Sequence, residues 1–269
     1  MPEIVDCHTH THFSDGHGTF AENAQAALAA GCTTLVSTDH LTLPREMDPE
    51  CECSIPEADL AAHREALMKA REAFPNLEIV YGFEADWYEG CEENIARWRG
   101  DATFLLGSVH FLEGMPLDYS ADMTLYETWG VDGAWERYVD AWCTACSCSA
   151  RFDSMAHPDI IKIFSKSGWA PSIALEPLWD RMAEAALEAS VHVELSTAGL
   201  RKPCAEYYPS DGLLRRFCKA GIPLTVGSDG HAPGDICHGI KDACAHAYVI
   251  GYRSIDVPRA GGGWRTIEL

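Results

Sequence analysis

Seven short apolar runs in this chain end in polar residues, most of them able to bind a cation. They read EIVDCHTH, TTLVSTDH, EIVYGFE, TFLLGSVH, FDSMAH, HVELS and PLTVGSDGH. Between them lie helically patterned segments at 20–31, 56–74, 93–98, 134–146, 173–189 and 212–221. Thr19 suits the N-cap of the first and Gly31 its C-terminal stop. Pro56 suits the first turn of the second. Strands alternating with helices are βα units, and these build a parallel sheet. In a closed parallel barrel the C-terminal strand ends converge on one mouth, whereas an open doubly wound sheet spreads them along a line. Seven polar strand ends therefore favour closure. The 269 residues suffice for one barrel of roughly 250 residues.

Composition narrows the function. The chain has 20 Lys+Arg against 41 Asp+Glu, a net charge of −21. A protein that grips nucleic acid along its backbone needs a basic stripe, so no nucleic-acid partner is expected. No apolar run approaches ~18 uncharged residues, so no membrane span is expected. The opening MPEIVDCHTH leaves no space for a signal peptide. A cytoplasmic location with reduced thiols is the expectation. Among the 12 cysteines, Cys143, Cys146 and Cys148 form C-x-x-C-x-C. Zinc or an iron–sulfur cluster uses such spacings. No distant pair of matching spacing accompanies it, although Cys51 and Cys53 are available, and a buried free thiol is the commoner role.

The metal signal is joint. His8 and His10 are two apart, so on a strand both imidazoles face one side. His40, Glu84, His110, His157, Asp229 and His231 stand at the other strand ends. Imidazole suits zinc, iron or manganese, and carboxylates admit harder ions. So many ligands exceed the needs of one cation. Two or three divalent metals are implied, with Glu84 as the natural bridge.

In this order, HTHTHFSDG, TDH, GFE, SVH, MAHPD and SDGH resemble the motifs of the polymerase and histidinol phosphatase (PHP) family, from residue 8 to 231. The resemblance implies a single domain over 1–269, folded as a distorted, TIM-like (β/α)7 barrel of the α/β class. It implies a trinuclear metal centre at the C-terminal strand ends. By motif, His8, His10, Glu84 and Asp229 hold the first metal, and Glu84, His110 and His157 the second. His40 and His231 hold the third with one ligand from the first loop. The family usually has His or Asp about eight residues after the first His, but Gly16 stands there. Its neighbours Asp15 and His17 are the alternatives, with His17 preferred. His12 is placed beside the site rather than among the ligands.

TDHLTLP, RFDSMAHPDIIKIF and ELSTAGLRKPCAEYYPS are similar to stretches of the histidinol-phosphate phosphatase subgroup. That implies hydrolysis of a small phosphomonoester by metal-activated water. Asp229, Glu84 and His231 are then the expected catalytic residues. Another small phosphate, such as a nucleotide or sugar phosphate, is the alternative substrate. Arg201 and Lys162 are the expected phosphate-binding cations, with Lys202 third. Ser196 and Thr197 are candidate phosphate donors. Glu194 and Glu206 are candidates for the cationic end of the substrate, and Glu194 alternatively for orienting a metal ligand. Residues 252–269 carry no assignment.

Overall fold

A computed structural model describes residues 3–269. Seven parallel strands form one sheet: β1 (Ile4–Thr9), β2 (Cys32–Ser37), β3 (Glu78–Asp86), β4 (Phe104–Ser108), β7 (Ser154–Met155), β8 (His192–Ser196) and β9 (Leu224–Gly227), hydrogen-bonded in that order. Helices α1 (Phe20–Ala29), α2 (Leu60–Ala73), α3 (Cys91–Trp98), α4 (Thr124–Cys146), α5 (Glu176–Ala189) and α6 (Asp211–Ala220) fill the crossovers. A short hairpin, β5 (Phe111–Leu112) and β6 (Met115–Pro116), follows β4. This is the expected distorted seven-stranded barrel. Thr19 caps α1 as expected, in a reciprocal capping box with Glu22. The sequence reading did not include α7 (Ile240–Ile250) or a second hairpin, β10 (Ser254–Pro258) and β11 (Trp264–Glu268).

Closure between β9 and β1 does not use a regular ladder. His10 N donates to Gly230 O at 2.9 Å, and Gly230 N to His8 O at 3.3 Å. A further tie is a side chain. The fully buried Asp6 carboxylate accepts from Ser228 N at 2.8 Å, Ser228 Oγ at 2.6 Å and Cys237 N at 2.7 Å. Burial pushes its pKa up, and these donors oppose that push.

The terminal hairpin closes the end of the barrel opposite the polar strand ends, because all its partners lie at strand beginnings. Trp264 stacks on His192 with ring centroids 3.7 Å apart and meets Phe104 edge-on. Arg265 binds Glu3 and Thr34, and Ala260 N donates to Glu78. His192 also contacts Asp256 at 3.0 Å. Burial lowers the His192 pKa from its ordinary value of 6.5 despite the Asp256 carboxylate. The neutral ring is therefore the folded form. Its contribution to stability is complete above the unfolded pKa of about 6.5 and is lost as pH falls through the folded value. Unfolding midpoints at pH 7.5 and 5.5 should accordingly differ less in His192→Phe than in the parent; an unchanged difference would refute this role.

All 12 cysteines are free thiols. Among the described residues, no group of ligand atoms close enough to share a cation includes Cys143, Cys146 or Cys148. No described helix is long and apolar enough to cross a membrane.

Candidate metal centre

The C-terminal strand ends converge on Glu84, which is 1 % exposed on β3. Its two carboxylate oxygens face different imidazoles. Oε1 lies 2.9 Å from His157 Nε2 and 3.6 Å from His110 Nε2. Oε2 lies 2.9 Å from His8 Nε2, 3.4 Å from His10 Nε2 and 3.5 Å from His40 Nδ1. That is the arrangement of a carboxylate shared between cation sites. Asp229 closes the cluster, with Oδ1 3.6 Å from His8, 3.3 Å from His10 and 3.4 Å from His231.

Four groups of ligand atoms come close enough to hold a cation. They are His8–His10–Asp229, His8–Glu84–His157, His10–Asp15–His40–His231 and His40–Asp86–His110. The donor set fits divalent ions on an observation independent of any motif. Both His10 ring nitrogens are buried without a hydrogen-bond partner, and such atoms are costly to leave unused. Likewise the Nε2 atoms of His110 and His157 face each other at 3.2 Å.

Burial alone would lower the pKa of His10, but Asp229, Glu84 and Asp15 outweigh it and raise the value to about 10. His110 is likewise raised to about 10, against burial, by Asp86 and Glu84. Burial would raise Glu84 and Asp229, yet the surrounding imidazoles hold both carboxyls well below the usual range. Cations entering such a site displace these protons.

Two strand-end candidate ligands stand on backbone of the left-handed region, His157 at φ 25° and Asp229 at φ 52°. Such strain is typical of residues aimed at a site. Arg201 steadies the second, donating to the carbonyls of Ser228 at 2.8 Å and Asp229 at 3.0 Å.

The first loop corrects the sequence reading. Asp15, not His17, reaches the cluster: its Oδ2 is 3.1 Å from His231 Nε2 and 3.7 Å from His40 Nε2. A tight turn, with Ser14 N and Gly16 N both donating to Thr11 O, swings Asp15 inward. His17 is exposed, and its backbone N donates to His231 O. A Cβ on Gly16 would lie 2.8 Å from the His10 and Thr11 backbone, so the turn requires glycine. His12 is exposed beside the loop.

Of the expected substrate contacts, Lys202 lines the cavity over the cluster, and Arg201, Lys162, Glu194, Glu206, Ser196 and Thr197 do not. Arg201 donates to the strand-end carbonyls through Nη2 alone, and its Nη1 is buried without a partner. Lys162 is 4 % exposed, its Nζ satisfied by Tyr207 O at 2.6 Å, Ser210 Oγ at 3.0 Å and Asp159 at 3.1 Å. Glu194 is buried beneath His8, taking its Nδ1 proton at 2.8 Å and the His157 N–H at 2.9 Å. This matches the orienting alternative. Gly227 makes room for it, since a Cβ there would lie 2.2 Å from Glu194 Oε1. Ser196 and Thr197 are buried, Thr197 donating to His238 O at 2.7 Å. Glu206 pairs with Lys166 at 3.1 Å. Of the cations considered, Lys202 is the one that lines the cavity.

Sequence reasoning missed several supports. Asp86 takes the His110 Nδ1 proton at 3.0 Å, leaving Nε2 to face Glu84. Asp39 is fully buried and receives Thr11 N at 2.5 Å, Thr11 Oγ1 at 2.9 Å, Ser14 Oγ at 2.8 Å and His63 Nε2 at 2.9 Å. Burial would raise its pKa, but His63 holds it down to about 2. The bond from Asp39 thus ties the first loop to α2. The TDH motif contained the signal, since Asp39 precedes a ligand and must point away from it.

A family model described as PHP domain matches residues 6–198. A Deinococcus radiodurans protein named as a probable histidinol-phosphatase is 33% identical over 260 residues, covering 95% of this chain and 96% of the relative. The Bacillus subtilis histidinol-phosphatase is 26% identical, covering 86% of this chain and 94% of its own. The crystal structure of a Lactococcus lactis histidinol phosphate phosphatase, complexed with zinc, L-histidinol and phosphate, aligns at a TM-score of 0.74 and 17% identity, covering 97% of this chain and 98% of that one. That likeness shows the fold.

Proposed function

The chain belongs to the PHP domain family, and on that premise we propose that it is a metal-dependent phosphomonoesterase that hydrolyses histidinol phosphate to histidinol and phosphate. The observation that carries the reading is the position of Glu84, whose two oxygens address separate groups of imidazoles at the floor of one cavity. The curated relatives named above support the substrate. Residues 1–269 are read as one domain.

His8, His10, Glu84 and Asp229 would hold one ion, and Glu84, His110 and His157 a second. His40, His231 and Asp15 would hold a third; zinc, iron and manganese all suit the set. Bound there, two or three such ions supply Lewis-acid neutralisation of phosphoryl charge and a nucleophilic water at neutral pH. The chain's own residues do the rest. Glu194 and Asp86 would fix the tautomers of His8 and His110 by accepting hydrogen bonds from their Nδ1–H groups. Lys202 supplies the protein's own positive charge at the cavity wall, where the phosphate of the substrate is held. Asp229 Oδ1, 3.4 Å from His231 Nδ1, would accept the proton that the attacking water loses and pass it to the leaving alkoxide.

The test is phosphate release by manganese-, iron- or zinc-loaded protein across a panel of small monoesters. Histidinol phosphate should be turned over with the highest kcat/KM. Preference for a nucleotide or sugar phosphate would overturn the substrate assignment.

A further inference from the structure

The cavity over the metal centre carries a charge that the reaction as described does not use. Asp118 lines it from the segment after β6. Its neighbour Leu117 is fully buried and pinned at both ends: Leu117 N donates to His110 O at 3.0 Å, and Tyr126 Oη donates to Leu117 O at 2.8 Å. Asp118 is therefore held in place by its backbone. Yet its carboxylate has no hydrogen-bond or ion-pair partner among the described residues. The same holds for the ammonium group of Lys202, the other unpaired charge on the wall. The two do not pair with each other. Leu43, Phe111 and Ile160 add apolar lining.

A metal role for Asp118 has no geometric support. The carboxylate that groups with His40 and His110 is Asp86. What remains is a partly exposed anion, carried on backbone next to a pinned residue, in a cavity whose other unpaired charge is a cation. Such a wall suits a ligand with an anionic end, a cationic end and an apolar body.

Building on the proposed phosphatase reading, we infer that Asp118 binds the ammonium group of the substrate and selects phosphate esters that carry an amine. Lys202 and the metal centre take the phosphate end, and the apolar wall takes the ring. Asp118 acts in recognition, so it governs KM more than kcat.

The test compares two substrates on metal-loaded protein: histidinol phosphate, and the same ester with hydrogen in place of the amine. The parent should favour the amine by about tenfold in kcat/KM, the scale of one charge-assisted hydrogen bond. In Asp118→Asn that preference should fall to within about twofold, chiefly through KM, with metal content unchanged. Asp118→Glu should restore part of it. Equal losses on both esters, or loss of bound metal, would overturn the role of Asp118. A parent that hydrolyses p-nitrophenyl phosphate but neither imidazole ester would overturn the substrate reading itself, and this inference with it.

Discussion

Glu84→Ala should lower phosphate release from histidinol phosphate on the order of 10³-fold or more. The reason is its position. Five imidazoles face its two oxygens at 2.9–3.6 Å. Removing the carboxylate deprives two groups of candidate ligands of their shared anion, so neighbouring cations would repel each other with no negative charge between them. Bound metal should fall by about one equivalent or more. Glu84→Gln keeps the volume and removes the charge, so it separates chemistry from packing. It should show the same loss with an unchanged circular dichroism spectrum. Retention of a tenth or more of parental activity by Glu84→Gln would contradict the bridging role.

Asp39→Ala should have the largest effect on stability. The fully buried carboxylate satisfies donors from Thr11, Ser14 and His63. Without it those donors are left unpaired in the interior, at a cost of about 3–5 kcal/mol. For a domain of this size the unfolding midpoint should fall by roughly 10 °C. The same substitution frees the loop that carries Asp15, so the metal held most weakly should be lost first. Asp39→Asn keeps the shape and some acceptor capacity, and should lie between parent and alanine. A midpoint within about 2 °C of the parent would refute the account of this bond.

The division between what was legible and what was not follows the physics of each residue. Strand-end ligands such as His8, His10, His40 and Glu84 announce themselves, because a barrel must bring the ends of its apolar runs together. Period-two spacing put the paired imidazoles of the first strand on one face. Loop geometry left no such trace. The choice between Asp15 and His17 turned on one hydrogen-bonded turn over Thr11, whereas chain spacing pointed to Gly16 between them. Cations misled for a related reason. Lys162 Nζ is taken by Tyr207, Ser210 and Asp159, and Arg201 holds strand-end carbonyls through Nη2 while Nη1 stays unpartnered. Lys202, one residue on, reached the cavity. The partners that orient ligands, Glu194 and Asp86, depend on contacts between strands. Only Glu194 was anticipated, as an alternative role. The closing bond from Asp6 and the hairpin under the barrel had no motif at all. Both answer requirements of the assembled barrel, a seam between β9 and β1 and an open end to cover.

The net charge of −21 takes on a different meaning once the centre is in view. An acidic chain binds an acidic ester only if positive charge is concentrated where the ester sits. Lys202 provides one unit, and two or three divalent ions would add roughly +4 to +6.

The most direct measurement is therefore a metal titration of chelator-stripped protein, with phosphate release from histidinol phosphate as the readout. The stripped protein should release none, and activity should rise with added manganese or zinc and saturate between about two and three equivalents per chain. Full activity in the stripped protein, or fully loaded protein that releases no phosphate, would contradict the proposed function.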